Sequence, residues 1–82
     1  MKIKKCDKNC YEIEGSKDFF YISKEQNPNT DLYLYFIDVF HKNEKSAYIN
    51  DCFDELYQAV DFLQNELNIP KKITNQIIKG GL

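Results

Sequence analysis

The stretch from Asp51 to Asn68, DCFDELYQAVDFLQNELN, decides how this chain folds. Phe53, Leu56, Val60, Leu63 and Leu67 recur at intervals of three and four, which places them on one stripe of an α-helix. The spacing predicts an amphipathic helix over the whole stretch. Asp51 stands in the N-cap position, Asp54 and Glu55 bring negative charge to the first turn, and Asn68-Ile69-Pro70 supplies an αL-tolerant residue, an apolar follower and a breaker. At roughly 1.5 to 3 kcal/mol per buried side chain, the stripe must lie against something apolar.

The other side of this helix is unusual in its charge. Asp51, Asp54, Glu55, Asp61 and Glu66 are accompanied by no Lys or Arg between residues 51 and 68. Like charges at helical spacing repel by a few tenths of a kcal/mol per pair, and nothing local neutralises them. Phe62 is expected among these acids, about 180° around the helix from Phe53.

Upstream, the pattern changes to a period of two. Lys2–Cys6 and Cys10–Glu14 read as strands joined by Asp7-Lys8-Asn9, with Asn9 in the αL position of a bulged hairpin and Cys6 facing Cys10 across the turn. A turn at 15–18 leads to a third strand, Phe19–Ser23, and KEQNPNT at 24–30 is a polar loop. Asp31–His41 is the longest strand and apolar on both faces: Leu32, Leu34, Phe36 and Phe40 on one, Tyr33, Tyr35, Ile37 and Val39 on the other. Lys45–Asn50 returns as a fifth.

The Leu32, Leu34, Phe36, Phe40 face carries no hydroxyl to satisfy, so it is assigned to the helix. Tyr33, Tyr35 and Tyr48 are thereby expected on an uncovered face. Beyond Pro70, Lys71–Lys79 reads as a short helix with Ile69, Ile73 and Ile77 on its buried stripe and Gly80 as its stop. The predicted fold is α+β: a four- or five-stranded antiparallel meander in a single domain, 1–82, packed on one face by the C-terminal amphipathic helix, plus the short terminal helix.

Composition narrows the function classes. With 43 % hydrophobic and 29 % charged residues among 82, the chain is globular and small. The net charge of −2 conceals segregation, with positive ends and a strongly negative 51–68. All 11 cations are Lys, so the bidentate guanidinium forks that grip phosphate and guanine are missing, which argues against nucleic acid. No apolar stretch is long enough for a membrane span, and the basic start lacks the apolar core of a signal peptide, so a cytoplasmic location without membrane association is expected.

Catalytic chemistry finds little support. Cys6, Cys10, Cys52 and His41 supply the ligand types of a Cys3His zinc site, but only the first pair has zinc-motif spacing, so they read as free thiols and a solvated turn histidine. A Cys6–Cys10 disulfide is compatible with the hairpin but disfavoured in a reducing compartment. Asp38 lies within an apolar face, with no second acid, phosphate loop or metal cluster beside it. A non-enzymatic chain without cofactor or metal is expected.

What remains is surface. Two features suit recognition: the acidic helix face of Asp51, Asp54, Glu55, Asp61 and Glu66 around Phe62, matched to a basic protein surface, and a phenol-rich sheet face of Tyr33, Tyr35 and Tyr48. In size, acidity, Lys-for-Arg usage and these exposed acids, the chain resembles the small phage-encoded inhibitors of bacterial defence, such as anti-CRISPR proteins. That resemblance implies a binding protein that blocks a nucleic-acid-handling host protein. In element order alone it is similar to the arm-binding domains of integrases, which are generally basic where this chain is acidic; this implies a nucleic-acid-binding sheet platform. A third reading is a self-associating structural protein, a homodimer formed through its strand edges.

Overall fold

The computed structural model describes residues 1–82. Strands β1 (Lys2–Asp7), β2 (Cys10–Glu14), β3 (Asp18–Gln26), β4 (Tyr33–His41) and β5 (Ile49–Phe53) form one antiparallel sheet in chain order, followed by helices α1 (Leu56–Asn65) and α2 (Lys71–Lys79). This is the α+β meander that the sequence predicts, with helix packed on sheet. No helix is long and apolar enough to cross a membrane.

The alternation in β2 fixes which face is buried. Tyr11 and Ile13 point to the core while Cys10, Glu12 and Glu14 do not, and register carries that choice across the sheet. Tyr11 pairs with Ile22 and Ile13 with Phe20 of β3; Ile22 then pairs with Ile37 and Phe20 with Val39 of β4. Ile13, Ile22, Ile37 and Val39 are fully buried, covered by Ala59 and Leu63 of α1, Ile73 and Ile77 of α2, Ile69 between the helices and Leu82 after them.

The helices therefore lie on the face opposite to the one expected. Ile37 and Val39, with Tyr35 packed beside them, form the covered side of β4. Leu34, Phe36 and Phe40 are half-buried on the uncovered side, and Leu32 is exposed before the strand begins. The reason is the row in which Glu12, Tyr21, Asp38 and Asn50 are neighbours: four strands place a polar group there, and all four would have to be desolvated if that face were the core. The greasiness of one strand does not outweigh that cost.

The helix is also shorter than its periodicity suggests. Asp51, Cys52 and Phe53 belong to β5, where Phe53 pairs with Tyr35 and Asp51 with Ile37, so the fifth strand is Ile49–Phe53 instead of 45–50. A residue at the junction satisfies both periods, since Phe53 is two residues from Asp51 and three from Leu56. The cap is not Asp51 but Glu55, whose backbone N–H donates to Gln58 Oε1 at 3.2 Å in a capping box. Ala59, Val60 and Leu63 are buried, while Leu56 and Leu67 are only partly so.

The end of α1 follows the sequence. Asn68 adopts φ 57, and the Ile69 N–H returns to the Leu63 carbonyl at 2.8 Å. In α2, Ile73 and Ile77 are buried as the spacing predicts. The buried Thr74 hydroxyl donates to the Lys71 carbonyl at 3.1 Å and accepts from Gln64 of α1 at 2.7 Å, joining the two helices.

Gly80 is the C-cap that stops α2 at Lys79, as predicted, while the first hairpin differs from its reading. The left-handed residue after α2 is Gly81 at φ +85; Gly80 keeps helical geometry at φ −72. Gly80 is needed for a different reason: a Cβ there would fall inside the Tyr11 phenol, which reaches across from β2. In the first hairpin the register shifts between Lys5 and Asp7, so Cys6 is the bulged residue, and Asn9 is not among the positive-φ positions.

Candidate functional site

An open depression of about 1080 Å³ runs along the outer side of α1, from the β5–α1 connection to α2. Phe53, Leu56, Val60 and Phe62 supply its apolar lining, and Ile78 reaches it from α2. Phe53 and Phe62 touch at 5.3 Å between ring centroids, tilted by 45°. That contact exists because Phe53 ends a strand, so Phe62 packs on it instead of standing opposite it. Tyr57 and Ile78 are 70 % and 49 % exposed, large apolar groups left in water at the rim.

Four acids line the same depression: Asp54, Glu55, Asp61 and Glu66, and no lysine does. None of the four takes part in an ion pair. The Asp61 carboxylate accepts only from Asn65 at 2.5 Å, and Glu55 serves the helix cap. The result is an apolar trough under an uncompensated negative field, a combination that favours a ligand carrying both cations and aliphatic surface.

The sequence-derived residues are thus partly brought together. Asp54, Glu55, Asp61, Phe62 and Glu66 share one groove, joined by Phe53, Leu56, Tyr57 and Ile78, which the sequence reading did not single out for binding. Asp51 is exposed on β5 and does not line the groove. Ile78 lies off the Ile73–Ile77 stripe of α2.

The tyrosines do not form an uncovered face. Tyr35 packs against the core under the helices. Tyr33, 45 % exposed, lies beneath the Lys24 ammonium at 4.3 Å from its ring centroid. Tyr48 stacks on His41 at 4.0 Å, and His41 Nδ1 meets the Asp18 carboxylate at 2.7 Å. The three are scattered because Tyr35 shares its parity with the buried Ile37 and Val39, Tyr33 stands at the strand's exposed start, and Tyr48 precedes β5.

The uncovered sheet face carries other aromatics: Phe19, Tyr21, Phe36 and Phe40, all half-buried. Tyr21 and Phe40 meet edge to face at 5.7 Å. Cations and acids alternate with them, since Lys4 pairs with Glu12 at 3.4 Å and Lys42 with Glu14 at 2.8 Å. The Tyr21 hydroxyl donates to Glu12 at 2.6 Å, which holds the phenol proton and pushes its pKa up to about 12. Hydrogen bonding by Lys42 lowers the pKa of Glu14. Asp38 accepts a hydrogen bond from the Asn50 amide on this face.

The thiols and the histidine lie apart. Cys6 and Cys10 meet at the β1–β2 end, Cys52 is on β5, and His41 is engaged with Asp18 and Tyr48. No three His, Cys, Asp or Glu side chains gather in a metal-binding group. No protein-family model, curated protein or solved structure matches this chain.

Proposed function

We propose that this chain is a non-enzymatic protein-binding module that seats a basic, partly aliphatic segment of another protein in the groove beside α1. The observation that carries the reading is the pairing of Phe53, Leu56, Tyr57, Phe62 and Ile78 with four carboxylates that have no lysine among them. Apolar contact supplies affinity, while the acids steer encounter and select for cations. A basic, partly aliphatic segment at a nucleic-acid-binding surface presents the complementary chemistry, and covering it is the inhibitory action implied by the resemblance to small phage-encoded anti-defence proteins. We assign that action to this protein as its working role.

The uncovered aromatic face favours a second reading, a platform on which single-stranded bases stack on Phe19, Tyr21, Phe36 and Phe40. Against it, Lys4 and Lys42 are already paired with acids on that face, which leaves little to attract phosphate.

The test uses a labelled synthetic peptide of alternating lysine and leucine, followed by capture from a bacterial lysate in low salt. Binding is expected to weaken steeply with salt, and Asp54→Lys with Asp61→Lys to lower affinity about tenfold or more, the equivalent of 1.4 kcal/mol. Affinity unchanged by salt and by the double reversal would contradict the reading.

A further inference from the structure

We propose that Cys6 and Cys10 form a reversible intramolecular disulfide, a thiol–disulfide couple built into the β1–β2 hairpin and exchanged with small-molecule disulfides of the glutathione type. The two sulfurs stand 3.0 Å apart as free thiols. A bond requires them to approach by only about 1 Å more.

The β1–β2 register creates this proximity. The register that pairs Lys5 with Tyr11 brings Cys6 up to Cys10, and the bulge at Cys6 gives Asp7 the ladder position opposite Cys10. Lys4 pairs with Glu12, and strand alternation then places both Cys6 and Cys10 on the uncovered face of the sheet. The pair also has an internal order: Cys6 is exposed and Cys10 half-buried. Burial first, then the hydrogen bond from Cys6 and the nearby Asp7 and Glu12 charges, push the Cys10 thiol up to about 12.

The exchange balances as follows. The Cys6 thiolate attacks oxidised glutathione, forming a mixed disulfide and releasing one glutathione thiolate. Cys10, losing its proton to solvent, attacks Cys6 Sγ, and the second glutathione leaves as thiolate. The protein dithiol is oxidised by two electrons and oxidised glutathione is reduced to two glutathione thiols. Cys52 takes no part, since its row runs Cys10, Ser23, Phe36, Cys52 across β2 to β5. Three strand spacings put it roughly 14 Å from Cys10. The closed form ties down β1, an outer strand whose one partly buried residue is Ile3.

The experiment equilibrates the full chain with mixtures of reduced and oxidised glutathione, traps remaining thiols by alkylation and reads the mass. The alkylated thiols are expected to fall from three to one, with the survivor at Cys52 and the chain monomeric. The equilibrium constant for closure should be at least about tenfold larger in the folded chain than in concentrated urea, because folding raises the effective concentration of one sulfur at the other. Cys6→Ser and Cys10→Ser should each stop at a glutathione adduct on the remaining hairpin cysteine. Retention of three alkylatable thiols, a bond involving Cys52, or closure equally favourable in urea would overturn the proposal.

Discussion

Ile37→Ala is expected to destabilise the protein by about 2–5 kcal/mol, whereas Phe36→Ala, one position away, should cost about 1 kcal/mol. Ile37 is fully buried between Ile22 of β3 and the helices, so truncation leaves a cavity that the surrounding branched side chains cannot fill. Phe36 points to the uncovered face, where water occupies the vacated space. At about 4–8 °C per kcal/mol for a domain of this size, the Ile37 variant should unfold roughly 4–30 °C below the Phe36 variant. The reverse order would mean that the Leu34, Phe36, Phe40 face is the covered one.

Gly80→Ala should cost about 1–3 kcal/mol although Gly80 has ordinary helical dihedrals. A methyl group there meets both the Tyr11 hydroxyl and the ring carbon that bears it, and Tyr11 is itself buried among Ile13 and Ile22. The phenol cannot swing aside without opening the core, so the end of α2 must move and carry the buried Leu82 with it. Tyr11→Phe in the same chain should restore part of the loss, since it removes the hydroxyl and leaves the ring. At Gly81 the same change is penalised by φ +85 alone, with open space around the new methyl. Chemical denaturation of the two single variants and the double variant measures all of this.

Much of the architecture is legible in the chain because local signals agree. The turns at 8–9 and 15–17, the apolar alternation of β2 to β4, Asn68-Ile69-Pro70 and the Ile73–Ile77 stripe each point to one structure. β4 alone does not determine which face is covered. Both of its faces are largely apolar, and the choice belongs to the polar row of Glu12, Tyr21, Asp38 and Asn50, of which β4 holds only one member and register supplies the rest. The misplaced start of α1 has a similar origin: Phe53 fits either period, and β5 claims it through pairing with Tyr35.

The candidate site divides along the same line. The acids were visible as an uncompensated run, and four of the five share the groove. Its apolar members, Tyr57 and Ile78, lie off the stripes that periodicity selects, and their exposure emerges only when α1 and α2 are docked side by side. The tyrosine surface was an inference from the inverted face and disappears with it.

The recognition account is tested most directly by amide chemical-shift mapping of the isotope-labelled protein titrated with the lysine–leucine peptide. It predicts saturable shifts confined to the groove, at Phe53, Glu55, Tyr57, Asp61, Phe62 and Ile78, that vanish in high salt. Shifts centred instead on Phe19, Tyr21 and Phe40, or spread evenly over every exposed acid, would contradict it.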